Sequence, residues 1–515
     1  MNGALMRASS SFAVAAALGL FVGVGTTQAA DLGGNCCADL EERIAELEAT
    51  TARKGNRKMS LTITGQVDRA VVWYDDGKTS TTYYGLDNTN SSTRYIFAGS
   101  AKVTPKVSMG FEIMIEIEAG GTSSKVSQFD EDGKLTAFIP NPNVANPSGC
   151  TATTCPTVNT GIPSFNAHNI DAYFGDARHV AWWMEHADLG RITVGRWESA
   201  GVLGTIDLTV HIFLPASAAF GLLNGGFFIR GPGGQVYTSR WADIADPASN
   251  NPGRTELVRY DSPSWNGFIY SASVAEAGDY WGTMLRYANE FQGFRLAGTV
   301  GYERVTDIAT PGVVDPNNVA FTGNRPDITV WGFALSAMHV PTGLFVQGHY
   351  NHADFGGNVI GAASGYWGES TTNKKPADQW LIQAGISKNW FGYGNTSVYG
   401  EYGVANDWGA DITTGGTTIG RNVNGAAGTT GFTNVDGITS TQMKMWGIGI
   451  AQQITAASTD LYLGYRHFDA DIKCADATAL SATCSGGVAV GAPSVTHKLQ
   501  TEGIDVIVMG ARVLF

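Results

Sequence analysis

The charged residues of this chain recur in one pattern: a lone cation set between apolar or aromatic neighbours. Arg94 and Lys102 stand against Tyr95 and Phe97, Arg259 against Val258 and Tyr260, and Arg286 against Leu285 and Tyr287. Arg295 stands against Phe294 and Leu296, and Arg466 against Leu463 and Tyr465. Glu112 and Glu116 share one parity between Phe111, Ile113, Ile115 and Ile117, while Asp207, Asp243 and Asp246 lie in a long segment after Arg196. Successive side chains of a strand point to opposite faces, so these ions gather on one side of a wall whose other side is apolar. Fixed charges around a narrow aqueous lumen sieve solutes and bias which ions enter, without catalysis. Wall arginines facing loop acids would set a transverse field across such a lumen; taken singly, each reads as a solvated lumen or rim charge. Catalytic constellations are weaker. His349 and His352 fall on opposite faces of a strand. No His-Glu-x-x-His, Gly-x-Ser-x-Gly or phosphate-cradling loop occurs. His186, His211 and His467 read as polar strand-end or loop residues. No catalytic residue, metal site or cofactor is expected, although acidic loops could take divalent cations.

The elements that position these charges have a period of two. From Val107 to Glu118, one face carries Val107, Met109, Phe111, Ile113, Ile115 and Ile117, the other Ser108, Gly110, Glu112, Met114, Glu116 and Glu118. That run exceeds the usual strand of about five or six residues and suits a tilted membrane strand of roughly 9–11. Ser60 to Trp73 alternates in the same way. Tight turns are expected at Thr104-Pro105-Lys106, Ala187 to Gly190, Pro263 to Asn266, Asn289 to Gln292, Val340 to Gly343, Asn389 to Asn395 and Thr455 to Ser458. Between the resulting hairpins lie Gly-, Asn-, Asp-, Thr- and Pro-rich segments, such as Ala119 to Ser164 and Val404 to Thr439; only Ala277-Gly278-Asp279 is short. Seven turns joining fourteen strands, with an opening and a closing strand, predict an all-β, sixteen-stranded antiparallel transmembrane barrel. Closure also removes the edges that lipid cannot satisfy. Tryptophans such as Trp73, Trp182, Trp183, Trp281, Trp331, Trp380 and Trp446 suit an interfacial girdle.

Composition agrees. Glycine supplies 66 of 515 residues, and charged residues are only 15% beside 43% hydrophobic, against a usual charged share of about 25%. No apolar run is long enough for a spanning helix. A net charge of −13 makes nucleic acid an unsuitable partner.

Residues 1–29 read as a secretory signal peptide: Arg7, the apolar stretch Phe12 to Gly25, then Thr27-Gln28-Ala29. Residues 30–58 are expected to be a periplasmic segment with a short helix, Asp39 to Ala52, striped by Leu40, Ile44 and Leu47, and a basic linker. Residues 59–515 form the barrel. Export permits disulfides, and Cys150 with Cys155 and Cys474 with Cys484 are candidate pairs within loops. Cys36 and Cys37 are adjacent and ill placed to pair with each other; they could serve as interchain staples.

Several segments resemble alphaproteobacterial porins: Cys36 to Glu48, Arg53 to Lys58, Leu61 to Val67 and Arg259 to Phe268. The terminus resembles the signal read by the barrel assembly machinery, with Gly510, Val513 and Phe515 in its spacing and Val508 where a polar residue is usual. The resemblance covers the whole chain and implies a homotrimeric general diffusion porin in the outer membrane, in contact with lipid and lipopolysaccharide. It implies a third loop, residues 199–253, folded into the pore, and it places Arg196 at a constriction-arginine position. The Pro-Glu-Phe-Gly-Gly loop tip of enterobacterial porins is absent. Peptidoglycan attachment through the N-terminal segment is a further expectation. The competing readings are a channel selective for an anion or other substrate, and an outer-membrane enzyme or adhesin that merely uses a barrel.

Overall fold

The computed structural model describes residues 59–117, parts of 122–135, 174–201, 204–216, most of 225–245, 254–275, 280–306, 327–356, 375–408, 432–433, 438–476 and 495–515. The signal peptide, the N-terminal helix and Cys36, Cys37, Cys150, Cys155 and Cys484 lie outside these residues, as does the side chain of Cys474.

The alternating segments form sixteen long antiparallel strands. They are β1 (Ser60–Asp75), β2 (Arg94–Thr104), β3 (Val107–Ile117), β4 (Phe174–His186), β5 (Gly190–Glu198), β6 (Arg254–Asp261), β7 (Phe268–Ala275) and β8 (Tyr280–Phe291). The second half comprises β9 (Phe294–Thr306), β10 (Asp327–His339), β11 (Leu344–Gly356), β12 (Ala377–Lys388), β13 (Thr396–Asn406), β14 (Ile438–Ile454), β15 (Thr459–Asp476) and β16 (Ile504–Leu514). Two shorter pieces, Ser80–Asp87 and Val495–Leu499, pair beside β1 and β15 and bring the sheet to 18 strands. Each long strand pairs with its neighbours in sequence, and β1 closes on β16 through ten residue pairs, from Gln66↔Leu514 to Asp75↔Asp505.

Connections on one side are short. The expected turn at Asn289 to Gln292 shifts along the chain, because β8 continues to Phe291 and pairs it with Phe294. Gln292 (φ 50°) and Gly293 (φ 79°) then make the turn. Positive φ at both central residues matches the right-handed twist of the hairpin, as in a type I′ turn. The closing seam ends on Phe515, whose backbone N–H and C=O pair with Gly65 at 3.1 and 2.9 Å. Its ring lies 5.7 Å from that of Tyr95. It covers the space where a β-carbon on Gly65 would come within 2.5 Å of it.

The outer face is apolar, with Val180, Trp182, Leu285, Phe333, Leu335, Ile448 and Ile450 among its exposed residues. Aromatic pairs cross adjacent strands there: Trp281 with Tyr302, Trp331 with Tyr350, Trp380 with Tyr402 and Trp446 with Tyr465, at 5.0–5.6 Å. Trp183 departs from the expected girdle. Its parity turns it inward over Gly110, where Arg191 covers it at 3.9 Å.

The inner face has two zones. Toward the long loops, the inward residues Val72, Tyr74, Ile328, Val330, Met443, Met445, Phe468, Ile472, Val506 and Val508 are apolar and buried. They share one core with Leu214, Phe227, Ile229, Trp241 and Ile244 of the connection between β5 and β6. Burying that surface supplies a driving force for folding this connection into the barrel. Nearer the turns, the inner wall is polar.

Candidate functional site: the lumen and its loop

The connection 199–253 leaves β5 and follows the inner wall around the barrel. The Ala200 N–H donates to Ser273 Oγ on β7 at 2.8 Å. Gly201 lies against Glu303 of β9, where a β-carbon would collide with the carboxylate. Ser336 Oγ on β10 donates to the Ile206 carbonyl at 2.6 Å, and Thr205 Oγ1 meets His349 Nδ1 on β11 at 2.7 Å. His211 Nε2 reaches Ser397 Oγ on β13 at 2.7 Å, and burial holds this imidazole below its usual pKa. Ile212 and Ala216 pack with Met338, Phe345 and Tyr399. From β16, Arg512 donates to the Val210 carbonyl at 3.4 Å and lies 5.1 Å over the Phe213 ring. Val210 itself has φ 78°, a costly conformation for a β-branched residue. Asp207 accepts from Thr209 N, Thr209 Oγ1 and Phe213 N at 2.7–3.0 Å, which shapes the turn.

Beneath the loop, a row of polar side chains joins four strands. Arg466 on β15 donates to Glu401 on β13 through Nε (2.7 Å) and Nη2 (2.9 Å), passing over Gly447. Gln383 on β12 donates to Glu401 at 3.0 Å, Gln347 on β11 donates to Gln383 at 2.9 Å, and Leu208 N–H donates to Gln347 at 3.3 Å. Arg466 is 2% exposed and the Glu401 side chain 0%, so the pair is withdrawn from water. Arg512 likewise holds Asp460 at 2.5 Å.

The wall from β2 to β8 carries a second charged group. Glu116 pairs with Arg178, and Arg94 donates to Ser91 Oγ at 3.0 Å. A bulge in β4 produces this: Met114 pairs with His179 and Ile115 with Ala177, so Arg178 is the unpaired extra residue. Bulges re-aim side chains in this way, and here both Arg178 and His179 reach inner carboxylates. His179 lies 2.6 Å from Glu112 and 3.5 Å from Glu198, with Arg254 3.5 Å from Glu198. At the foot of the loop, Arg259 and Arg286 both bind Asp261, at 2.9 and 2.5 Å. Arg259 also donates to the carbonyls of Glu198 and Ser199.

Arg94, Glu112, Glu116, Arg259, Arg286 and Arg466 therefore face inward, as strand parity predicts. Four other expectations need correction. Arg196 pairs with Val180 and Glu256 on the outer face and donates to the Ala177 carbonyl at 2.6 Å, which keeps it out of the lumen. Lys102, exposed two residues before the β2–β3 turn, and Arg295, beside the β8–β9 turn and paired with Glu290 at 3.3 Å, sit at the short-turn rim. Asp207 serves its own loop. Asp246 and the side chain of Asp243 lie outside the described residues. Among the described residues, the carboxylates that meet the wall arginines come from the wall itself: Glu116, Glu198, Asp261, Glu401 and Asp460. Arg178, His179, Glu198, Arg254, Glu401, Asp460 and Arg512 were missed; parity alone would have drawn attention to Glu401, Asp460 and Arg512.

The family description of Gram-negative porins matches residues 4–473. No curated protein matches the chain. Solved structures with similar architecture include OmpT of Vibrio cholerae, at 11% identity over 90% of this chain and 99% of that one, with a TM-score of 0.42. Salmonella typhi OmpF follows at 11% identity, 89% and 98% coverage and TM-score 0.40. The outer membrane channel DcaP of Acinetobacter baumannii stands at 13%, 90% and 100%, and 0.37. These superpositions are loose, and the barrel assignment rests on the chain's own strand order and closing register. A closed barrel with a polar, charged inner wall, matched over most of its length by one family, identifies the chain: it belongs to the Gram-negative porin family, integral outer-membrane proteins that form water-filled channels for passive diffusion.

Proposed function

We propose that the chain works as a homotrimer of the alphaproteobacterial type, admitting small hydrophilic solutes past a constriction between the loop 199–253 and the wall from β2 to β6. The observation that carries this is the path of the loop. Its described contacts run from β7 through β9, β10, β11, β13 and β16, which leaves the arc from β2 to β6, with Arg94, Arg178 and Arg254, to border the passage. Residues 30–58 are read as periplasmic, with Leu40, Ile44 and Leu47 pairing around a threefold axis, Cys36 and Cys37 as interchain staples and the new N-terminus open to peptidoglycan attachment. Gly510, Val513 and Phe515 are read as the contact with the assembly machinery, and the apolar outer face as the contact with lipid and lipopolysaccharide. Single-channel recording tests the reading: conductance in steps of three, with a trimer band in unheated gels, is expected, and monomeric steps would refute it.

Selectivity for anions is the second reading, favoured by two guanidiniums sharing the single carboxylate of Asp261. Reversal potential under a salt gradient separates it from unselective diffusion.

A further inference from the structure

The second transmembrane strand is broken at mid-height. The upper half of β1 pairs Arg69–Asp75 with Ser80–Asp87, and the lower half pairs Ser60–Gln66 with Arg94–Ser100. The other edge of β1 is taken by β16, so Ser80–Asp87 and β2 are two lengths of one descending strand. Residues Asn88–Thr93 interrupt it and turn into the lumen, where all but Thr89 are buried. Backbone groups released from a ladder inside a membrane must find partners in the protein, and here they do. Gln66 Nε2 donates to the Ser91 and Ser92 carbonyls at 2.7 and 2.9 Å, Thr93 N–H to Asp87 at 3.1 Å and Ile117 N–H to the Thr93 carbonyl at 2.8 Å.

The side chains of this insert point two ways. Asn88 Nδ2 donates to the Leu214 carbonyl at 2.9 Å and to Tyr462 Oη at 3.0 Å, and Asn90 Nδ2 donates to the Phe213 carbonyl. On the other side, Ser91 accepts from Arg94 and Ser92 donates to Glu116. One short insert thus ties the far turn of the lumen loop to the charged wall. The sequence accounts for the interruption: Asn, Thr and Ser compete with the ladder by bonding nearby backbone, and Asn88 Oδ1 accepts from Asn90 N–H at 3.0 Å.

We propose that Asn88–Thr93 is a latch that holds the turn Leu208–Ala216 against the wall, and that releasing it lets membrane voltage drive the loop across the passage. This rests on the loop bordering the passage. Planar-bilayer recordings on the full chain test it with Asn88→Ala, Asn90→Ala and the double variant. The double variant should keep its open-channel conductance and its resistance to heat unfolding. At a fixed voltage, its closed-to-open ratio should rise on the order of ten-fold, as expected for one or two lost hydrogen bonds. An unchanged voltage dependence in a folded, conducting double variant overturns the latch. A change in open conductance with no change in closure also overturns it, by making the insert a wall element only. Should the alanine variants fail to assemble, Asn90→Asp keeps the size but cannot donate to the Phe213 carbonyl. It should shift closure in the same direction, and closure at the wild-type voltage overturns the proposal. A further variant on the loop's own turn, Phe213→Ala, separates the two readings: if it too leaves conductance unchanged, the loop does not border the passage and the functional reading itself fails, whereas a changed conductance with unchanged closure in the asparagine variants overturns the latch alone.

Discussion

Exchanging one atom at Glu401 should loosen the lumen loop where it meets β11, two strands away. Every donor in the row points toward this carboxylate: Arg466 from one side and Gln383 from the other, with Gln347 donating to Gln383 and Leu208 N–H to Gln347. In Glu401→Gln one oxygen becomes an amide that can only donate. If the remaining oxygen stays with Arg466 Nε, the new amide confronts that of Gln383, which must flip to present its oxygen. Gln347 then flips in turn, and its amide meets Leu208 N–H donor to donor. Weakening the charged pair costs about 2–4 kcal/mol, because Arg466 stays buried. Losing the long Leu208 bond costs about 1 kcal/mol. Hydrogen exchange followed by mass spectrometry should show the Leu208 amide exchanging about five-fold faster, the equivalent of that last loss, together with lower resistance to heat. Lowered heat resistance with unchanged exchange at Leu208 would refute the reasoning, because the effect would then end at the ion pair.

The other predictions concern selectivity, closure and pH. Arg286→Ser should shift the reversal potential toward cations, since it halves the guanidiniums on Asp261, whereas Arg295→Ser at the rim should leave it unchanged; equal shifts would disprove the assigned depths. Gly65→Val places a branched side chain where a β-carbon already comes within 2.5 Å of both the Phe515 ring and the Arg94 carbonyl. Folded yield and heat resistance should fall, as they should in Phe515→Ser, and normal yields of both would show that the seam tolerates either change. Asp76 anchors the loops by accepting from Thr79 N at 2.8 Å, Arg230 Nε at 2.7 Å and Gln128 Nε2 at 3.1 Å. Burial alone would raise its pKa, but the bonds from Thr79 and Arg230 outweigh it and hold the carboxyl below its ordinary value. Its stabilisation is therefore full above about pH 4 and drains away as pH falls through the lower folded value. Asp76→Asn should abolish that acid dependence of the melting curve, and an unaltered curve would contradict it.

Parity made the inward cations legible, because one apolar face forces the polar residues to the other. Depth was harder to read, yet Lys102 and Arg295 each lie within two residues of a turn, which fixes them at the rim. Arg196 failed for a different reason. A likeness in the Gly195-Arg196 dipeptide outweighed its parity, which groups it with Ile192 and Val194 and hence outside. The bulge at Arg178 left no local signal, since an extra residue in a strand shows only against its partner's register. The broken strand was hidden as well. Asn88–Thr93 reads as loop composition, and only the pairing of β1 with two successive partners shows that it interrupts a wall.

The apolar inner zone shows where the loop runs, and the same rule can be applied to sequence. A barrel strand facing lipid on one side and water on the other must alternate, as Val107 to Ile117 does. A strand that is apolar on both sides must have its inner side covered, because apolar surface left against water costs about 25 cal/mol per Å². Val506 to Met509 is such a stretch: Val506 and Val508 are buried inside while Ile507 and Met509 lie on the other face. The upper part of β1 is another, with Val72 and Tyr74 inside between outward Val71 and Trp73. Both lie in the zone covered by Phe227, Ile229 and Trp241. The wall arc from β3 to β5 keeps Glu112, Glu116, His179 and Glu198 on its inner side, and no described contact brings the loop's turn onto it. Runs of doubled apolar character thus mark the covered part of the inner wall, and strict alternation marks the part left to solvent and solute. In this chain β1 carries both marks, alternation below and doubled apolar character above, while β3 alternates throughout, and that division separates the covered zone from the charged arc.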